Sequence, residues 1–132
     1  MYLKDFDSWN EKKKEIHQSV FREFVHTREV WWCSLGINVG FEQDGKHELF
    51  ERPVLIIKKF NREVVLIVPL TSQLKDHIKD HKYFVNFVHE DRPFSAIISQ
   101  VRLISTKRLR RKMYSMDSSI FQQLRTAIRD II

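Results

Sequence analysis

Between residues 8 and 25 the apolar positions fall on one stripe. Trp9, Ile16, Val20 and Phe24 are spaced by seven, four and four, while Lys12, Lys13, Lys14 and Glu23 take the opposite face. That is the helical period. Ser8, with Glu11 three positions later, completes a capping box, so the pattern predicts an amphipathic helix over 8–25. The period then shortens. EVWWCSL at 29–35 is a β-rich apolar run that Gly36 ends, and a polar stretch follows to Glu51. Residues 52–60 and 63–70, rich in Val, Ile and Leu, predict two strands joined tightly at 60–62. Their unbroken apolar runs imply burial on both faces, or one face covered by a helix or partner.

Residues 71–81 are polar, with LKDHIKDH as a candidate helical turn. Residues 83–88 and 95–106 predict two further strands around a turn at 89–93, and KRLRRK at 107–112 reads as one basic helical turn. A last helix starts at Asp117 or Ser118 as N-cap. In it Ile120, Phe121, Leu124, Ile128 and Ile131 repeat at helical spacing, with Gln122, Gln123, Arg125 and Arg129 opposite. Five or more short strands with flanking helices predict a mainly β, α+β fold built on a small, strongly bent antiparallel barrel.

Composition narrows the class. The 132 residues suit one domain, with 1–27 as a helical extension packed on a core formed by 28–132. With 23 Lys+Arg against 17 Asp+Glu, the charge of +6 favours an anionic partner: nucleic acid, an acidic protein or a membrane surface. A single cysteine, Cys33, excludes an internal disulfide; lying inside an apolar run, it reads as an inert buried thiol. The N-terminal stretch has no continuous apolar segment, and no run approaches the ~20 residues that span a bilayer. A soluble, cytoplasmic protein is expected.

Candidate chemistry sits at strand ends. GFEQDG at 40–45, ERPVLII at 51–57 and VPLTSQ at 68–73 place Glu42, Arg52, Thr71, Ser72 and Gln73 beside β-rich runs. Arg52 directly precedes Pro53, which is tolerated at a strand's first position, so the reading puts Arg52 at the rim. A guanidinium there can hold a phosphate through two parallel hydrogen bonds. The plain alternative is a surface Arg paired with Glu51 or Glu48. Thr71 and Ser72 can donate to a phosphate, or simply form a turn. Glu42 can orient Arg52 or accept a proton. His77 and His81, with Asp76 and Asp80, have metal-ligand spacing, but no third ligand is signalled and no metal or other cofactor is expected. Phe41, Phe50, Phe60 and Tyr83 can stack on bases, with core packing as their default.

Taken in order, Trp32, Gly36, Gly40–Glu42–Gln43, Arg52–Pro53–Val54, Phe60–Asn61, Val68–Pro69 and Thr71–Ser72–Gln73 resemble the MazF/PemK (Kid) toxins of type II toxin–antitoxin systems. The resemblance covers about residues 28–132. It implies an SH3-like or CcdB-like barrel that forms a symmetric homodimer. It also implies a metal-independent endoribonuclease that cuts single-stranded RNA at a short sequence, in which the ribose 2′-OH attacks the adjacent phosphate to leave 2′,3′-cyclic phosphate and 5′-OH ends. Carried over by position, Arg52 is the main catalytic residue, Thr71 contacts the same phosphate, and Glu42 is the acidic residue of a mobile loop. Gln43, Ser72, Gln73, Gln100 and Arg102 are the implied RNA contacts.

The implied partners are RNA, a second copy of the chain and a cognate antitoxin, without a membrane. The chain departs from the pattern in one strand. AIISQVR carries Ile97 and Ser99 where Kid-type toxins carry an Arg and an Asp. Two other readings stand beside the first: a gyrase-directed toxin, as CcdB is on a related fold, which would not need the Arg52/Thr71 pair, and an inactive RNA-binding relative, which Ile97 and Ser99 suggest.

Overall fold

A computed structural model of the chain describes residues 4–20, 23–36, 50–72 and 83–132. Its elements are α1 (Phe6–Gln18), β1 (Glu29–Ser34), β2 (Glu51–Lys59), β3 (Val64–Thr71), β4 (Phe84–His89), β5 (Arg92–Ile97), β6 (Arg102–Ser105), β7 (Leu109–Ser115) and α2 (Ser118–Asp130). All strand pairs are antiparallel, in the order β4-β5-β3-β2-β1-β7, with β6 added on β3. The α+β class and the antiparallel sheet are as expected. The sheet bends but stays open rather than closing into a barrel. One edge of β3 divides: Val64–Ile67 pair with β6, whereas Leu70 and Thr71 pair with β5. The outer strands β4 and β7 meet through a stacked His89–Tyr114 pair, with ring centroids 3.5 Å apart, and form no ladder.

The apolar runs of β1, β2 and β3 are buried on both faces. Alternation sends Val30, Leu55, Val68 and Leu70 to a core shared with Phe121, Leu124 and Ile128 of α2. Trp31, Cys33, Val54, Ile56, Val65 and Ile67 go to a second core with Val25, Ile104 and Leu109. The C-terminal helix starts where the sequence places it, with Asp117 accepting from the Ser119 and Ile120 amides at 3.1 and 3.3 Å.

Several boundaries differ from the expectation; the turn expected at 89–93 shrinks to Glu90 and Asp91, both at positive φ, because β4 runs to His89 and β5 starts at Arg92. The first helix begins earlier, because Asp5 rather than Ser8 caps it by accepting from the Ser8 amide at 3.0 Å. It ends at Gln18, so Trp9 and Ile16 are buried while Val20 and Phe24 lie beyond it, exposed. The strand predicted over 95–106 is broken by a 3-10 turn at Ile98–Gln100, which carries the chain from β5 to β6. The basic run is not one helical turn: a 3-10 turn at Thr106–Arg108 passes into edge strand β7. Charge on an edge strand discourages further pairing, and here it also closes the β1 seam, where Lys112 Nζ lies 3.0 Å from Glu29.

The helix α1 docks through Trp9, whose ring lies 5.6 Å from that of Phe50. Gly36 makes this possible. Its φ is +80°, and a Cβ there would meet the Trp9 ring at 2.0 Å. Gly36→Ala therefore combines left-handed strain, about 1–2 kcal/mol, with a ring clash. Chemical denaturation should show a loss of at least that size.

Glu29 gives a second prediction. Burial opposes its ionisation, but hydrogen bonds from the His26 amide (2.8 Å) and Trp31 Nε1 (3.0 Å), together with Lys112, outweigh that and hold its carboxyl below the ordinary value. A depressed carboxyl stabilises the fold above the unfolded pKa, and the contribution fades as pH falls through the folded value. Glu29→Gln should thus be less stable than wild type at neutral pH, with the gap closing under acid in urea titrations at stepped pH.

Candidate active site

The β2–β3 register sets Val54 opposite Pro69 and Leu55 opposite Val68. Continued toward the start of β2, it carries Arg52 to the end of β3, where Thr71 stands. The two ends open into a groove of about 470 Å³, lined from β1 by Trp32, from β2 by Glu51 and Arg52, and from β3 by Leu70 and Thr71. Ser72, Arg92, Phe94 and Met113 add to the walls.

Arg52 is not the rim residue that its position before Pro53 suggests. It is only 5% exposed, and its Nη1 donates to the Leu70 carbonyl at 3.2 Å. Pro53 sits within β2, opposite Trp32, rather than at the strand's first position. A buried guanidinium held by a backbone carbonyl has few rotamers, so the cation is fixed before any ligand arrives. Thr71 is equally buried and pairs with Ser95 of β5, whereas Ser72 beyond it is exposed.

Among the residues inferred from sequence, Arg52, Thr71 and Ser72 come together here. Gln100 and Arg102 are not among those that line the groove. Gln100 ends the 3-10 turn, and Arg102 opens β6 opposite Ile67. Arg102 instead neighbours Arg108, whose guanidinium is held below its ordinary value by burial first and by the charge of Arg102 second. Ile97 is buried at the end of β5, and Ser99 is exposed in the turn. Glu42, Gln43, Gln73 and the His77/His81 pair lie outside the described residues, as does Phe41. Phe50 packs on Trp9, while Phe60 is exposed beneath Lys58.

Glu51, Arg92, Phe94 and Met113 also line the groove, although the motif pattern does not single them out as site residues. Arg92–Pro93 did carry a signal, because it repeats at the start of β5 the Arg-Pro doublet of β2. Met113 carried none without β7 being recognised. The described lining thus holds two guanidiniums, Arg52 and Arg92, and one carboxylate, Glu51. Such a cleft favours an anion whose charge is spread over several oxygens.

A larger concavity of about 760 Å³ lies between the end of α1 and the β3/β6 edge, against His17, Val20, Leu103 and Lys107. None of the residues singled out for chemistry reaches it. Cys33 behaves as its sequence context suggests: fully buried, its thiol is pushed up to about 12 by burial, against the opposing charges of Arg108, Arg102 and Arg110. A thiol reagent such as DTNB should leave the folded protein unlabelled at pH 8 and label one thiol per chain in denaturant; labelling at a free-thiol rate in the folded state would contradict this burial.

Residues 26–132 match the family described as PemK-like, MazF-like toxin of type II toxin–antitoxin system. No curated protein matches the chain. Among solved structures, the crystal structure of MazF (Form-I) from Deinococcus radiodurans superposes with a TM-score of 0.66 at 14% identity, over 83% of this chain and 97% of that one. An endoribonuclease in complex with its cognate antitoxin, from a mycobacterial species, gives a TM-score of 0.58 at 14% identity, over 81% and 93%. The MazE–MazF complex (Form-II) from Deinococcus radiodurans gives 0.58 at 13%, over 83% and 96%. At these identities the likeness is one of fold. No helix among the described residues is long and apolar enough to cross a membrane.

Proposed function

Because the chain belongs to the PemK-like, MazF-like toxins of type II toxin–antitoxin systems, we propose that it is a toxin that cuts single-stranded RNA in the Arg52–Thr71 groove. The observation that carries this reading is the convergence of Arg52 and Thr71, from separate strand ends, on one groove with the guanidinium already fixed. In the proposed step the ribose 2′-oxygen attacks the adjacent phosphorus and gives up its proton, the P–O5′ bond breaks, and the departing 5′-oxygen takes up a proton, so a 2′,3′-cyclic phosphate and a 5′-OH form with no net change in protons. The nucleophile belongs to the substrate. What the protein supplies is alignment and charge stabilisation, so the chemistry needs neither a metal-bound water nor a protein nucleophile.

Arg52 faces the growing negative charge on the phosphorane, and Thr71 donates to the same phosphate. Glu42 is assigned to proton transfer or to orienting Arg52, while Gln43, Ser72 and Gln73 contact neighbouring nucleotides. Gln100 and Arg102 contact RNA only where it extends past the groove. Two of the neighbouring folds are solved with an antitoxin, which supports a cognate antitoxin as a partner here. A symmetric homodimer acting in the cytoplasm completes the proposal, and the net charge of +6 suits the substrate.

The test is incubation of the purified protein with a long RNA in EDTA. Discrete cuts ending in cyclic phosphate are expected, and intact RNA would reject the reading. Arg52→Ala, shown folded by circular dichroism, should lose about 10²–10³ in rate or more; undiminished cleavage would remove Arg52 from the chemistry. Thr71→Ala should lose activity in the same direction.

A further inference from the structure

Arg111 is the one charged residue of β7 that lies directly opposite Trp32 of β1, a groove-lining residue. Its guanidinium lies over the Trp32 ring, 5.1 Å from the centroid, and its Nη1 is 3.6 Å from Glu51 Oε1. The Arg111 side chain is 63% exposed, whereas that of Glu51 is 10% exposed. Strand alternation sends Arg110 the other way, where its Nε donates to Ser34 Oγ at 2.7 Å.

Two facts make this more than a surface ion pair. Glu51 Oε1 is buried and accepts no hydrogen bond, and a buried carboxylate needs a compensating charge. Arg111 supplies it. At 3.6 Å the contact is longer than a hydrogen bond, so it orients the guanidinium through charge without consuming its N–H donors. An exposed arginine ordinarily samples many rotamers. Here an aromatic face beneath and a carboxylate at one side hold the guanidinium next to the groove-lining Trp32 and Glu51, on a side chain that stays 63% exposed.

We propose that Arg111, held by Trp32 and Glu51, forms a second phosphate subsite that grips the RNA backbone beside the phosphate being cleaved. The proposal rests on the reading of the groove as an RNA site. Arg52 acts on the reacting phosphate; Arg111 fixes the register of the strand that enters.

The experiment uses the full chain carrying Arg52→Ala, so that RNA stays intact, and a fluorescein-labelled single-stranded RNA of mixed sequence. Affinity is measured by anisotropy across a series of KCl concentrations. Adding Arg111→Ala should weaken binding about tenfold and flatten the log–log salt slope by about 0.7, the value for one phosphate contact on a single strand. Arg111→Lys should restore the slope but not the full affinity, since an ammonium cannot lie flat on Trp32. Arg129→Ala, on α2 and away from the groove, should change neither.

Because losing Arg111 alone strands a buried carboxylate, the same measurement is made with Glu51→Gln and Arg111→Ala combined, and the same loss of slope is expected. Unchanged slope and affinity in that variant would overturn the subsite. The two proposals fail separately. If wild type cuts RNA while the slope is indifferent to Arg111, only the subsite falls. RNA binding that depends on Arg111 without any cleavage would sustain the subsite and reject the nuclease. A chain that binds no RNA rejects both.

Discussion

The pairing of β2 with β3 is the constraint on which the rest of this structure depends. Both strands are apolar on two faces, so a slip of one residue would still bury apolar side chains but would send each to the opposite core, where its shape does not fit. The same register delivers Arg52 to the end of β3 and brings the Leu70 carbonyl within 3.2 Å of its guanidinium. Folding energy and site geometry are therefore not separate achievements. The hydrophobic pattern that selects the fold also selects where the cation stands.

Much of this was legible from the amino acids alone, for physical reasons that can be named. Strands β1, β2 and β3 announce themselves because their apolar runs answer to two cores. The helix α2 does so because Asp117 and the Phe121/Leu124/Ile128 stripe agree in phase. Arg52 and Thr71 were visible because polar groups at apolar strand ends have no packing role to explain them. The departures share another cause. The strand β7 hides behind its charges: only Leu109 of its seven residues is fully buried, so neither period shows. The first helix stops short because Ser19 bonds back to the Ile16 carbonyl, leaving Val20 and Phe24 outside a stripe they seemed to extend.

The interior placement of Arg52 was also out of reach. Whether a residue before proline faces solvent or lies beneath the next strand depends on tertiary pairing, which adjacency does not encode. Cross-strand partners such as Glu51 with Arg111 belong to the same class of fact. Glu51 reads as an ordinary loop-end carboxylate until β7 is laid beside β1. Its neighbours then include a cation sixty residues further along the chain.

The contact of Trp9 with Gly36 and Phe50 reaches beyond the docking of one helix. Gly36 donates its amide to the Phe50 carbonyl at 3.0 Å, and Trp9 braces both residues from one side. These are the two feet of the segment 37–49, which carries Glu42 and Gln43. The N-terminal helix thus does more than bury its own stripe: by bracing the Gly36–Phe50 junction it also sets where β2 begins, and with it the first two groove residues of that strand, Glu51 and Arg52.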